Sequence, residues 1–324
     1  MKAFRTEITP DPPGWSIAYA DSIMLMGSCF AEHMGNNLLS RLFNVDLNPF
    51  GVLFNPVSIA SGLQGLIGRE KYTKDDLFFH QGLWHSFDHH SRFSGLDPEE
   101  VLEGINKRLL ESSSNLLNAK TLFITFGTAR VYHHLKNGRV VANCHKVPAA
   151  EFQNQLLRVG DVVRLYTRIF QELWQINSTL NIILTVSPVR HWKDGAMGNQ
   201  VSKSTLILAV SELVNEFDQL KYFPAYEIFM DDLRDYRFYD QDMLHPGQAG
   251  IEYIWDKFSN CFFDSETRCI VSRVEKIVKA RSHIPRNPDT EAYQEFQKNL
   301  DEKIHALKAD HPSLNLFQSP IARP

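Results

Sequence analysis

Short apolar runs alternate along the chain with longer segments of helical periodicity. Ile23–Met26, Thr121–Phe126 and Asn181–Val186 are nearly continuous in apolar residues, and Tyr222–Met230 is a weaker fourth run. Runs of this length are typical of strands that are buried on both faces of a parallel sheet. Because strands that alternate with helices form βαβ units, the pattern predicts a three-layer α/β/α fold with a mostly parallel sheet.

The segments between these runs carry helical spacing or helix-end signals. The first places four apolar residues on one stripe: Met34, Leu38, Leu39 and Leu42. Asn55 is a suitable cap for a second helix that Pro56 opens, and Asp97-Pro98 begins a third. The predicted helices cover about residues 31–43, 56 onward, 97–117, 161–176, 201–217 and 246–262.

Two other segments give distinct signals. Tyr72–Phe93 is rich in aromatic residues and histidines without a clean period, which predicts an irregular insertion. Asn137-Gly138 separates Tyr132–Leu135 from Val140–Val141, a pattern typical of a β-hairpin.

The composition of the sequence changes at about Val271. Charged helical segments there flank Pro285–Pro288, and the final dozen residues are rich in proline and serine. We therefore predict an α/β domain over residues 1–270, followed by a helical appendage with a loose tail over residues 271–324.

Composition narrows the function classes. Of the 324 residues, 43% are hydrophobic and 22% are charged, which excludes a disordered chain, a collagen-like repeat and a coiled-coil rod. The 34 Lys and Arg residues against 38 Asp and Glu give a net charge of −4, and no basic block suggests a phosphate-tracking surface. Nucleic acid is therefore not an expected partner.

Cysteine usage and hydropathy set the expected compartment. The four cysteines form no C-x-x-C pair, so neither a structural zinc site nor a disulfide scaffold is expected. The N-terminal residues contain no apolar signal-peptide segment, and no apolar run approaches the ~20 residues needed to span a bilayer. The expectation is a soluble cytoplasmic protein without a membrane span.

Candidate chemistry lies where the predicted strands end, since ligands of open α/β sheets bind at the carboxyl ends of the strands. Ser28 follows the first strand and precedes the first helix, and Gly27 permits a tight turn. This placement exposes a hydroxyl at a helix N-terminus, which favours developing negative charge. The alternative is a serine that only caps the helix.

A second element is Asp242-Met-Leu-His245, immediately before Pro246. In a turn, this spacing lets the carboxylate hold one tautomer of the imidazole and leaves the other nitrogen as a base. With Ser28 these residues form a candidate Ser–His–Asp set, whose chain order is not fixed. The alternative is an exposed polar loop.

Several segments resemble one known family. Gly27–Ala31 is the pentapeptide that names the GSCFA family, which is similar to the SGNH/GDSL hydrolases. Further matching segments are Phe126–Ala129 with Tyr132, Asn143–Lys146, Ser187–His191, and Asp242 with His245. The resemblance spans about three quarters of the chain. It implies a flavodoxin-like arrangement in which Ser28 is the nucleophile, His245 the general base and Asp242 its orienting carboxylate.

The resemblance also implies an oxyanion hole. Backbone donors would be Ser28 and Gly51, the latter matching a second-block glycine. The hydrolase pattern has Gly-x-Asn in its third block, whereas Gly127-Thr128-Ala129 has no asparagine here. The candidates for the missing donor are Thr128, Asn143 and Asn55.

Other polar residues are candidates for substrate binding: Asn55, His85, His89, His145, Lys146, Arg190 and His191. The clusters Asn143–Lys146 and Arg190-His191 would bind an anionic or polar group, or instead cap strands and satisfy buried carbonyls.

Two further chemistries are alternatives to the serine mechanism. His85 and His89 have the i, i+4 spacing of a helical metal chelate, but they lie in the irregular stretch and lack the glutamate of H-E-x-x-H. No metal or other cofactor is predicted. Cys29 is a rival thiol nucleophile, although no cationic partner for a thiolate is evident beside it.

The leading hypothesis is an esterase that works through an acyl-enzyme. The resemblance implies an acyl or acetyl ester, of a carbohydrate or another small alcohol, as the substrate. Two alternatives stay open: a non-catalytic module that binds a carbohydrate or polyol, which the altered third block favours, and an O-acyltransferase.

Overall fold

The computed structural model describes residues 5–282 and 289–312. In chain order, its strands are β1 (Ser22–Gly27), β2 (Asn44–Leu47), β3 (Leu77–His80), β4 (Leu83–Ser86), β5 (Thr121–Phe126), β6 (Arg130–His134), β7 (Val140–Val141), β8 (Phe152–Leu156), β9 (Asn181–Val186) and β10 (Leu220–Phe223). Its α-helices are α1 (Cys29–Ser40), α2 (Pro56–Gly68), α3 (Pro98–Asn118), α4 (Val159–Ile176), α5 (Gly195–Glu216), α6 (Ala225–Glu227), α7 (Gln248–Phe262), α8 (Ser265–Arg281) and α9 (Glu291–Asp310).

The central sheet is parallel and has the strand order β2-β1-β5-β9-β10. Numbered within the sheet, this order is 2-1-3-4-5, the flavodoxin-like arrangement. The predicted fold class is therefore confirmed. Because the strands run in one direction, the carboxyl ends of β1, β5 and β9 share one edge of the sheet.

Alternate residues of each strand face opposite layers. Met24 and Ile124 point into one apolar core, together with side chains of α2, α3, α4 and α5. Ile23 and Phe123 point into the other core, with side chains of α1, α7, α8 and α9. Burial on both faces explains why the strands read as continuous apolar runs rather than as an alternating pattern.

Several local predictions are confirmed. Asn55 caps α2 by accepting a hydrogen bond from the Ser58 N–H at 2.8 Å, with Pro56 in the first turn. The Asn137-Gly138 turn joins β6 to the antiparallel β7, and β8 pairs with the other side of β6. Among the described residues, no helix is long and apolar enough to cross a membrane.

Other local predictions are wrong. The supposedly irregular stretch contains the hairpin β3–β4, whose turn residues Gln81 and Gly82 both have positive φ. The edge strand β2 was missed because it is short and carries Asp46, a buried carboxylate that accepts hydrogen bonds from Arg108 and Asn115 of α3.

Helix and strand ends also shift. α5 begins six residues before the predicted start, α7 begins two residues after Pro246, and the strand predicted over residues 222–230 ends at Phe223, followed by helical turns. Leu39 is 42% exposed and Leu42 lies beyond the end of α1, so these two leucines do not share the buried stripe of Met34 and Leu38.

The C-terminal helices pack on the same core as α1 and α7. Val274 of α8 and Leu300 and Leu307 of α9 are buried within it. The predicted boundary between residues 270 and 271 falls inside α8. The segment Pro285–Pro288 and the final dozen residues lie outside the described residues.

Gly27 is a position where only glycine fits. Its φ is +140°, and a Cβ there would lie 2.2 Å from the Thr125 carbonyl oxygen on β5. We expect Gly27→Ala to lower the free energy of unfolding by roughly 3 kcal/mol, because strain and overpacking add. Gly104→Ala is the matched control, because Gly104 is an exposed position of α3 and no atom lies within 4 Å of the added methyl group. We expect this change to raise the free energy of unfolding by ~0.5–1 kcal/mol. Urea unfolding compares the two, and equal midpoints would contradict this account of Gly27.

Candidate active site

Ser28 lies in the turn between β1 and α1, at the carboxyl edge of the sheet. Its backbone has the extended conformation of a helix N-cap, but its side chain makes no capping hydrogen bond. The residue is 1% exposed, and its Oγ has no hydrogen-bond partner among the described residues. A buried polar atom without a partner requires an explanation, and a catalytic role is one such explanation.

Asp242 and His245 form a hydrogen-bonded pair in the loop before α7. The carboxylate Oδ2 lies 2.5 Å from His245 Nδ1, and Oδ1 accepts from the N–H groups of His245 and Leu244, each at 2.9 Å. These backbone N–H groups, that of His245 first, lower the pKa of Asp242 to about 2. An ionised carboxylate must accept from Nδ1–H, so Nε2 is the nitrogen left to act as a base.

The pair lies near α1 and makes no hydrogen bond with Ser28. His245 is close enough to His33 of α1 and to His191 to lower the pKa of each, in addition to the larger effect of burial. The side chains of Asp242 and His245 are 47% and 40% exposed, so both are open to an incoming substrate.

Gly127, directly after β5, lies close to both Ser28 and His191. A methyl group added to its Cα would lie 3.2 Å from Ser28 Cβ and 3.2 Å from His191 Nε2. The His191 backbone N–H donates to Asn199 Oδ1 at 2.9 Å, and its ring packs edge-on against Phe54. Burial lowers the pKa of His191 to about 4, so the imidazole is neutral near pH 7.

Lys203 of α5 is a buried residue of this edge that the sequence reasoning missed. Its Nζ donates to the carbonyl oxygens of Gly127 at 2.7 Å and Ser187 at 2.6 Å, tying together the ends of β5 and β9. Burial lowers the pKa of Lys203 to about 7. A signal was present, because Lys203 shares a helical stripe with the buried Leu206 and Val210.

Lys203 also bears on Cys29. The sequence showed no cation beside this thiol, whereas the structure places the positive charge of Lys203 near it. Burial is nevertheless the larger effect and raises the pKa of the Cys29 thiol. A thiol in this state is a poor nucleophile.

The predicted backbone donors of an oxyanion hole are all engaged. The N–H of Ser28 donates to the Thr125 carbonyl oxygen at 3.2 Å, and that of Gly51 donates to the Asn48 carbonyl oxygen at 2.8 Å. The N–H of Thr128 donates to the Phe54 carbonyl oxygen at 3.0 Å.

The predicted side-chain donors make hydrogen bonds with nearby protein groups. Thr128 Oγ1 lies 3.0 Å from Ser202 Oγ and accepts from the Arg130 N–H. Asn143 Oδ1 accepts from the His145 N–H at 2.9 Å. The Asn55 side chain both accepts from and donates to Ser58 as the cap of α2.

The histidines of the aromatic stretch form a separate cluster. His85 lies on strand β4 and His89 in the turn after it, so their spacing is not that of a helical chelate and that interpretation is wrong. His145 stacks on His85 at 4.5 Å between ring centroids, and its Nε2 lies 2.8 Å from the Ser86 carbonyl oxygen. Burial lowers the pKa of His89 to about 3 and that of His145 to about 4.

The contacts of this cluster are with neighbouring protein groups. His89 Nδ1 lies 3.0 Å from Ser86 Oγ, and His85 Nδ1 lies 2.6 Å from Ser94 Oγ. Within the described ranges, no three His, Cys, Asp or Glu side chains are arranged to hold a metal ion. A polar cavity of about 260 Å³ opens nearby, lined by Tyr72, Asp88 and Arg139 among others, and Ser28 is not part of its wall.

The two remaining candidates differ in burial. Lys146 is exposed, on a left-handed backbone with φ of 60°. Arg190 is half-buried beside His191: its guanidinium lies 5.4 Å from the centre of the Trp192 ring, and its Nε is buried without a hydrogen-bond partner in the described part of the chain.

The fold and this edge define a three-layer α/β protein with a polar cluster at the carboxyl ends of a flavodoxin-like sheet. The chain belongs to the GSCFA family: the model of that family matches residues 22–258. The model described as GSCFA domain protein, C-terminal domain, matches residues 274–318. No curated protein matches the chain significantly.

Several solved structures are distantly similar. A Streptococcus pneumonia protein described as a candidate platelet activating factor is 13% identical with a TM-score of 0.39, over 74% of this chain and 83% of that one. A Clostridium thermocellum family 3 carbohydrate esterase is 11% identical with a TM-score of 0.37, over 78% and 98%. A family 3 carbohydrate esterase from Talaromyces cellulolyticus is 9% identical with a TM-score of 0.33, over 79% and 99%. Similarity of this extent assigns no residue role to the present chain.

Proposed function

We propose that this protein is a serine-dependent ester hydrolase that works through an acyl-enzyme. The observation that carries the proposal is the Ser28 hydroxyl: it is buried between β1 and α1, makes no capping bond to α1, and has no hydrogen-bond partner in the described chain. The Asp242–His245 pair near the same helix end supplies a base held in one tautomer.

The proposed reaction has two steps. Ser28 Oγ attacks the ester carbonyl carbon while its proton passes to His245 Nε2, and the carbonyl electron pair moves onto oxygen. The oxyanion collapses, the carbon–oxygen bond to the alcohol breaks, and His245 returns the proton to the leaving alcohol. Water then attacks the acyl-serine, again losing a proton to His245, and the acid leaves as Ser28 regains its hydrogen.

The surroundings of Ser28 favour a small acyl group. Ser28 is almost fully covered, and a methyl group on Gly127 would already lie within 3.2 Å of its Cβ. Outside this tight point, the rings of Trp192 and Tyr236 are 51% and 72% exposed. Exposed aromatic faces suit the apolar face of a sugar ring, so we propose a short-chain, acetyl-type ester of a carbohydrate as the substrate class.

A panel of esters tests this function. Aryl esters from acetyl to octanoyl and acetylated sugars are incubated with the wild type and with Ser28→Ala. We expect turnover of acetyl esters, a decline with acyl length, and no turnover by Ser28→Ala. If no ester is turned over while both proteins bind a sugar equally by calorimetry, the chain is a binding module and the proposal fails.

A further inference from the structure

An attacking Ser28 needs hydrogen-bond donors for the negative charge that forms on the substrate oxygen. Removing one such donor in hydrolases costs on the order of 10²–10³-fold in rate. As described above, the N–H groups of Ser28, Gly51 and Thr128 donate to backbone carbonyl oxygens, and the side chains of Thr128 and Asn55 bond to Ser202 and Ser58. Asn143 belongs to the separate histidine cluster, where its N–H donates to the Phe87 carbonyl oxygen and its Oδ1 accepts from the His145 N–H. The donor that replaces the absent third-block asparagine must be a different group.

His191 has the position and the free nitrogen for this task. Its Nε2 and the Ser28 Cβ each lie 3.2 Å from the point where a Cβ of Gly127 would be. Because Gly127 has no Cβ, the nucleophile and the imidazole can both lie next to this point at the carboxyl edge of the sheet. Neither ring nitrogen of His191 makes a hydrogen bond with the described residues, whereas its backbone N–H and its ring face are fixed by Asn199 and Phe54.

We propose that His191 donates its Nε2–H to the oxyanion that forms when Ser28 attacks the ester, in place of an asparagine side chain. The inference rests on the esterase function proposed above and names one further catalytic residue for it. No proton is transferred in this step: the N–H stays on Nε2, and the hydrogen bond strengthens as charge develops on the substrate oxygen.

The charge state of His191 fits a donor rather than a base. Burial, with the nearby positive charges of Lys203 and His245, lowers its pKa to about 4. The ring is therefore neutral at pH 7, where it carries one N–H and accepts protons poorly. His245 differs because its Nδ1 is held by the Asp242 carboxylate. The two histidines thus have separate tasks.

The rate of serine labelling by a fluorophosphonate probe tests the proposal. In this reaction Ser28 Oγ bonds to phosphorus, fluoride leaves, the proton passes to His245, and the P=O oxygen occupies the oxyanion position. We expect His191→Leu to slow labelling about 10²-fold, and His191→Gln, which restores a side-chain N–H, to stay within about 10-fold of wild type. His33→Leu is the matched control, because His33 is also partly buried near His245 but does not face Gly127, and it should label at the wild-type rate.

The labelling rates are compared for variants whose thermal midpoints equal that of the wild type, and each outcome then supports or overturns the donor role of His191. Wild-type labelling by His191→Leu, or equal losses in the Leu and Gln variants, overturns the donor role and leaves the esterase proposal standing. A wild type that does not label at all overturns the esterase function, and this inference with it. Slow labelling by Leu with recovery by Gln supports both.

Discussion

We expect Ser28→Ala and His245→Ala each to abolish ester turnover, with a loss of roughly 10⁴-fold or more, and the double variant to be no worse than either single one. The two groups act together to generate the nucleophile. Once one of them is removed, removing the other causes no further loss of turnover. Turnover of an acetyl ester by the three variants and the wild type, measured at one pH, checks this expectation.

The folded state provides the control for that comparison. Ser28 Oγ makes no hydrogen bond and the His245 side chain is 40% exposed, so neither substitution removes a structural contact of the core. We expect the thermal midpoints of all variants to agree with the wild type within a few degrees. Losses that multiply in the double variant would show that the two residues act independently, and the proposed pairing would be wrong.

We expect Asp242→Asn to lose at least ~10²-fold in turnover. An amide can still accept from the backbone N–H groups of Leu244 and His245, so the turn is retained. It can also present its NH₂ to Nδ1, which places the imidazole hydrogen on Nε2 and removes the base; in a serine protease the same change costs about 10⁴-fold. Turnover measured beside the thermal midpoint separates this effect from unfolding.

Asp240 offers the matched control for this prediction. It lies in the same loop, and its carboxylate accepts only from the neighbouring Gln241 N–H at 2.8 Å among the described groups. Asp240→Asn should therefore turn over like the wild type. If the losses are reversed, with Asp240→Asn impaired and Asp242→Asn unaffected, the orienting carboxylate is misassigned.

The architecture was predictable because a strand that is buried on both faces consists almost entirely of apolar residues. β5 and β9 are continuous apolar runs, and their predicted bounds match the observed ones. β2 gave no such run, since its Asp46 is satisfied only by Arg108 and Asn115, more than 60 positions away. The β3–β4 turn also lacked a signal, because Gln81 adopts a positive φ that its residue type does not favour.

The site was predictable where its chemistry is local in sequence. Asp242 and His245 are three residues apart, and Ser28 follows its strand directly, so their relation to nearby elements could be read from spacing. Lys203 lies on α5 and donates to carbonyl oxygens directly after β5 and β9. His191 and Ser28 are far apart in sequence but both lie close to Gly127. Such contacts depend on the order of strands in the sheet, which spacing along the chain does not encode.

Peptide mass spectrometry that locates a fluorophosphonate adduct shows whether Ser28 is an activated nucleophile. We predict one adduct, on the peptide that contains Ser28, and no adduct in His245→Ala treated in the same way. An adduct on another residue, or none on a wild type that hydrolyses esters, would contradict this role of Ser28.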